Sequence, residues 1–129
     1  MEEQKKKIMI IEDDYFVMDI YYTKLTQSGF DVISANNGLD ALKKLQEEKQ
    51  IPDLILLDII MPYLGGLEVL ERIKADEQLK GIPVILLTNL SQKAEIDKGM
   101  GLGAKDYLIK SHFTPSEVLE KINLLISNA

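Results

Sequence analysis

The chain has 129 residues, 46% of them apolar, with 15 basic and 21 acidic residues, a net charge of −6 and no cysteine. That size suits one compact domain, and the missing thiols exclude a disulfide framework or a thiolate metal site. An acidic domain repels phosphate backbones, which argues against nucleic acid as a direct partner.

Residues 1–7 are mostly charged, and the Lys5–Lys7 run reads as a solvated end ahead of a strand. The apolar stretch that follows is too short for a signal peptide, and no run approaches the roughly 20 residues of a membrane span. A cytoplasmic protein without a membrane partner is expected. Ile8 to Ile11 is wholly apolar, as strands buried on both faces are. A helix is predicted from about Tyr15 to Gln27, with Phe16, Val17, Ile20, Tyr21 and Leu25 on its inner side and Gly29 ending it. Tyr15, Tyr21 and Tyr22 are assigned to packing on that helix. Asp31 to Ala35 alternates and suits a strand nearer an edge. Asn37 is placed to cap a helix carrying Ala41, Leu42 and Leu45.

Pro52 precedes the central strand, Leu54 to Leu57, which ends at Asp58. A loop with Pro62, Gly65 and Gly66 leads to a helix with Leu67, Leu70 and Ile73. Pro83 opens the next strand, Val84 to Leu87, ending at Thr88. Ser91 is a candidate cap for a fourth helix that contains Gly99 and Gly101, each costing about 1 kcal/mol relative to alanine. That helix is expected to be the least stable. Tyr107 to Ile109 is the last strand, ending at Lys110. Thr114-Pro115-Ser116-Glu117 reads as a capping box with proline at the first helical position. Behind it, Val118, Leu119, Ile122, Leu125 and Ile126 form an apolar stripe. The alternation of strands and helices predicts an α/β domain with a parallel sheet covered on both faces, its core spanning about residues 7–126.

In such sheets ligands bind beyond the carboxyl ends of the strands. Those ends carry Glu12, Asp13 and Asp14, then Asp58, Thr88 and Lys110. Clustered carboxylates repel unless a counter-charge joins them, and oxygen ligands suit a hard divalent cation such as magnesium.

These residues sit in Ile8-Met9-Ile10-Ile11-Glu12-Asp13-Asp14, in Pro52-Asp53-Leu54-Ile55-Leu56-Leu57-Asp58 with Met61-Pro62 and Gly66, in Leu86-Leu87-Thr88, and in Gly103-Ala104-Lys105-Asp106-Tyr107-Leu108-Ile109-Lys110. Together and in this order, the segments resemble the receiver domain of bacterial two-component response regulators. The resemblance implies a flavodoxin-like, doubly wound (βα)5 sandwich with strand order 2-1-3-4-5. It implies Asp58 as phosphoacceptor, and Glu12, Asp13, Asp58 and the Ile60 carbonyl around Mg2+, with Mn2+ as a substitute. Thr88 and Lys110 would contact the phosphoryl oxygens, and Tyr107 would be the aromatic that follows Thr88. The implied partners are a histidine kinase or histidine phosphotransfer protein and a downstream protein, with the domain a stand-alone monomer or a phosphorylation-dependent dimer.

Three positions depart from the family's pattern. Ser111 follows Lys110 where proline is usual, so a trans Lys110–Ser111 peptide is expected. Gly65 stands where Asp or Asn usually caps the third helix, and Asn89 is larger than the usual small residue. Ile60 and Leu90 are apolar where they would flank an attacking water, so slow loss of the phosphoryl group is expected. His112 is isolated and reads as solvated. A magnesium phosphohydrolase fits less well, because the first loop lacks its Asp-x-Asp pair. A flavodoxin-like cofactor binder is disfavoured by three acids where a phosphate would sit, and a receiver fold working without phosphorylation by the complete acidic set. The expectation is a regulator, not an enzyme, whose only chemistry is its own phosphorylation and dephosphorylation.

Overall fold

The computed structural model describes residues 5–47, 51–89 and 92–127. In chain order the elements are β1 (Lys7–Ile11), α1 (Tyr15–Gln27), β2 (Asp31–Ala35), α2 (Gly38–Glu47), β3 (Leu54–Asp58), α3 (Gly66–Ala75), β4 (Val84–Thr88), α4 (Lys93–Gly101), β5 (Asp106–Ile109), a 3₁₀ turn (Lys110–His112) and α5 (Pro115–Ser127). All strand pairings are parallel and the order is β2-β1-β3-β4-β5, as the resemblance implied.

The uninterrupted apolar strands follow from covering both faces. Side chains alternate across a strand, so Met9, Ile11, Ile55, Leu57, Val84 and Leu86 pack with α2, α3 and α4. Ile8, Ile10, Leu54, Leu56, Ile85 and Leu87 pack with α1 and α5 on the other face. β3 and β4 are buried along their whole length, while β2 at the edge is half-open to solvent.

Local signals place most boundaries. Asn37 Oδ1 accepts from Asp40 N at 2.7 Å, capping α2. The Thr114 box closes in both directions, with Glu117 N donating to Thr114 Oγ1 at 3.2 Å and Thr114 N to Glu117 Oε1 at 3.0 Å. Gly29 leaves α1 at φ 96°, a left-handed conformation that suits glycine.

The inner face of α1 differs from expectation. Phe16 and Ile20 are exposed, as are Tyr15 and Tyr22, and the buried residues are Met18, Tyr21 and Leu25. Those three stand at i, i+3 and i+7, one tight stripe. Counting apolar residues suggested a wider stripe because α1 is apolar nearly all round. Gly99 also has a role beyond weakening α4. It sits against Leu86 Cδ1, where a side chain would collide. Gly65 caps α3 without any side-chain bond, the weak cap its sequence implies. No cis peptide bond occurs among the described residues, so Lys110–Ser111 is trans. The expectations for Leu90 and Ser91 fall outside the described residues; α4 itself begins after Gln92, which makes no side-chain cap bond.

Candidate functional site

Parallel strands deliver their last residues to one edge. β1 ends just before Glu12, β3 at Asp58, β4 at Thr88 and β5 just before Lys110. Asp58 pairs with Leu87 in register, so Thr88 stands one step beyond it on the neighbouring strand. Glu12, Asp58 and Thr88 are all buried, an arrangement that carboxylates tolerate only when paired.

The carboxylate oxygens of Glu12, Asp13 and Asp58 gather within 4.8 Å of one another. Lys110 Nζ lies 2.8 Å from Glu12 Oε2 and 3.3 Å from Asp58 Oδ1, joining the two buried acids. Glu12 Oε1 accepts from Asp14 N at 3.2 Å. Glu12 Oε2 is fully buried, and despite the nearby ammonium no donor among the described residues is aligned for a hydrogen bond to it. Burial, and next the charge of Glu12, push the Asp58 carboxyl from the usual 3.8 up to about 8, against the pull of Lys110 and with the close contacts to Asp13 and Glu12 adding to the rise. Burial opposes the charge on Lys110, but contact with Glu12 and the charges of Asp58 and Glu12 outweigh it and hold the amine above its ordinary value. Three acids against one amine leave a negative surplus, and an oxygen atom without an aligned donor. A divalent cation fits both features.

Asp14 does not join this cluster. Its Oδ1 accepts from Phe16 N at 2.9 Å and Val17 N at 3.3 Å, which makes it the cap of α1. Ile60 lies two residues beyond Asp58 with its side chain half-exposed, and Tyr107 points outward at 39% exposure. His112 is exposed, in keeping with a solvated role.

Two participants were not foreseen. Thr88 Oγ1 bonds to Gln92 Oε1 and lies 3.2 Å from Asn89 O, while Asn89 N donates to Gln92 Oε1 at 3.0 Å. The one hydroxyl proton of Thr88 is thus engaged by Gln92, the residue just before α4. Tyr21 borders the site beside Lys110; burial raises its phenol, with Lys110 lowering it and Glu12 raising it further. Neither residue carries a sequence signal. Gln92 acts across a loop, and Tyr21 reads as ordinary core.

The chain matches the family described as the response regulator receiver domain over residues 8–123. It is a member of that family. The receiver is 36% identical to a probable transcriptional regulator ycf27 of Pyropia yezoensis, over 100% of this chain and 51% of that protein. It is likewise 36% identical to the alkaline phosphatase synthesis transcriptional regulatory protein PhoP of Bacillus subtilis, over 94% of this chain and 48% of that protein. The chain therefore spans about half the length of these curated relatives. Among solved structures, the receiver resembles chemotaxis protein CheY4 of Vibrio cholerae, with a TM-score of 0.85 and 25% identity over 95% of this chain and 99% of that one. It also resembles the phosphorylated cyanobacterial phytochrome response regulator RcpA, with a TM-score of 0.84 and 29% identity over 98% of this chain and 97% of that one. Receiver domains are phosphoacceptor switches of two-component signalling. No helix among the described residues is long and apolar enough to cross a membrane.

Proposed function

We propose that Asp58 is the phosphoacceptor of this receiver, taking a phosphoryl group from a histidine kinase or histidine phosphotransfer protein. The observation that carries this reading is the buried Asp58 carboxylate held 3.3 Å from Lys110 Nζ, beside Glu12 and Asp13. Glu12, Asp13, Asp58 and the Ile60 carbonyl are the proposed holders of Mg2+, which when bound supplies positive charge for the incoming phosphoryl oxygens. Asp58 attacks phosphorus and forms an acyl phosphate while the donor's bond to phosphorus breaks. Lys110 neutralises one phosphoryl oxygen, and the Thr88 hydroxyl donates to another. Tyr107, exposed in this state, is the aromatic proposed to follow Thr88. The exposed Ile60 side chain offers no group to orient a hydrolytic water, in keeping with slow loss of the phosphoryl group. The activated domain contacts a downstream protein; the curated relatives are named as transcriptional regulators and are about twice as long.

Incubation with acetyl phosphate and Mg2+ should add one phosphoryl group by intact mass, and Asp58→Asn should add none. An unmodified mass for the folded, unsubstituted protein would overturn the assignment.

Gln92 competes with a phosphoryl oxygen for the Thr88 hydroxyl. A neutral hydrogen bond is worth about 1 kcal/mol net, so Gln92→Ala should tighten binding of beryllofluoride, a phosphoryl mimic, by about fivefold. Titration in the presence of Mg2+ measures this, and unchanged affinity would mean that the bond does not oppose activation.

A further inference from the structure

The opposite end of the sheet holds a second concavity. β4 and β5 begin there and run to Thr88 and Ile109 at the phosphoacceptor edge. This half-open concavity of about 580 Å³ is lined by Lys74, Lys80 and Lys105 together with Ile82, Pro83 and Leu125. That volume falls inside the roughly 300–1,000 Å³ common for small-molecule sites.

In a chain of net charge −6, the lining of this concavity holds three lysines and no acid among the described residues. Lys80 Nζ is turned to Glu77 Oε2 at 2.9 Å, an exposed pair. Lys74 and Lys105 have no ion-pair partner among the described residues. Lys74 is fixed in place. Its Nζ donates to the Lys80 carbonyl at 3.0 Å, and its stem crosses Gly103, where a Cβ would stand 3.3 Å from Lys74 Cε. Gly103 has φ +111°, so the turn into β5 takes a form that suits glycine and leaves room for that stem. Burial, and then the charge of Lys105, hold the Lys74 amine below its ordinary value, as expected of like charges lacking a counter-ion.

We propose that this concavity binds a small organic phosphate of nucleotide size, its phosphate against Lys74 and Lys105 and its apolar body against Ile82, Pro83 and Leu125. Lysine binds phosphate as a point charge, which requires no rigid fork of donors. The apolar wall favours an organic phosphate over the bare ion.

The test titrates the receiver with AMP and separately with inorganic phosphate, without divalent cations, by calorimetry and backbone amide NMR. Saturable shifts from AMP at Gly81, Gly103 and Lys105 are expected. Lys74→Gln and Lys105→Gln should each weaken AMP by about tenfold, and Lys105→Arg should retain it. Circular dichroism confirms that each variant is folded. The proposal is overturned if neither probe saturates, if both glutamine variants bind as before, if AMP and inorganic phosphate bind equally, or if the shifts centre on Asp58 and Lys110.

Discussion

Asp58→Asn is expected to unfold at a higher temperature than the unsubstituted protein when divalent cations are absent. Asp58 is buried beside Glu12, and a single lysine serves both acids, so the Asp58 carboxyl ionises in the folded protein only at a cost. Asparagine keeps the shape and cannot ionise, and removing the cost of an ionisable group in this imperfectly compensated buried site is worth about 1–4 kcal/mol. For a domain of this length that raises Tm by about 4–15 °C. The pH dependence has a definite sign. The folded state holds the Asp58 proton to about 8, whereas an ordinary carboxyl releases it near 3.8. Unfolding therefore releases a proton between those values, and the metal-free protein loses stability as pH rises through that window. Mg2+ at the proposed site would favour the ionised carboxyl, so the stabilisation it confers is expected to grow over the same range. Scanning calorimetry from pH 5 to 8, with and without Mg2+, checks both slopes. Equal slopes for the two proteins would show that Asp58 is not the strained group.

Gly66→Ala is expected to be the most damaging single-methyl change in the molecule. A Cβ at Gly66 would overlap the Asp58 carbonyl oxygen and stand 2.8 Å from Ile59 Cα. These are backbone atoms of the central strand and its exit, which cannot rotate aside as a side chain can. Gly66 N also donates to Ile59 O at 2.8 Å, binding the start of α3 to the residue after Asp58. Overpacking against backbone costs about 3 kcal/mol or more. Chain that escapes the clash by shifting would carry Asp58 and Ile60 with it, so Mg2+ affinity should fall as well. Gly101→Ala is the contrast, since a Cβ there meets nothing within 4 Å and alanine favours helix by about 0.5–1 kcal/mol. Urea unfolding of the two variants should move in opposite directions, and a neutral Gly66→Ala would refute the contact.

The charged edge was legible because each site residue follows an apolar strand, and parallel strands can only deliver such residues to one side. Asp58, Glu12, Asp13, Thr88 and Lys110 needed no more than that pattern. Asp14 was misplaced in that group because its spacing cannot separate a ligand from a helix cap, and the start of α1 claims its carboxylate. The inner face of α1 was ambiguous for a related reason: when nearly every turn is apolar, periodicity does not set the phase, and packing against α5 and the sheet does. Gly99 read as a flaw in α4, yet its contact is with Leu86, 13 positions earlier in the chain. The lysine-lined concavity was invisible because Lys74, Lys80 and Lys105 come together only when the starts of β4 and β5 meet the end of α3.

One sheet between two separate apolar layers also divides neighbouring residues in a useful way. Leu86 belongs to the layer shared with Ile96 of α4, and Leu87 to the layer shared with Met18 of α1 and Val118 of α5. Methyl labels on these adjacent leucines sit in the same strand under the same solvent conditions, yet sense different helices. A displacement of α4 reaches the Leu86 methyls directly, and Leu87 serves as an internal reference one residue away. The protein thus carries a differential probe of its own switching, sensitive to movement on one face and insensitive to drift common to both.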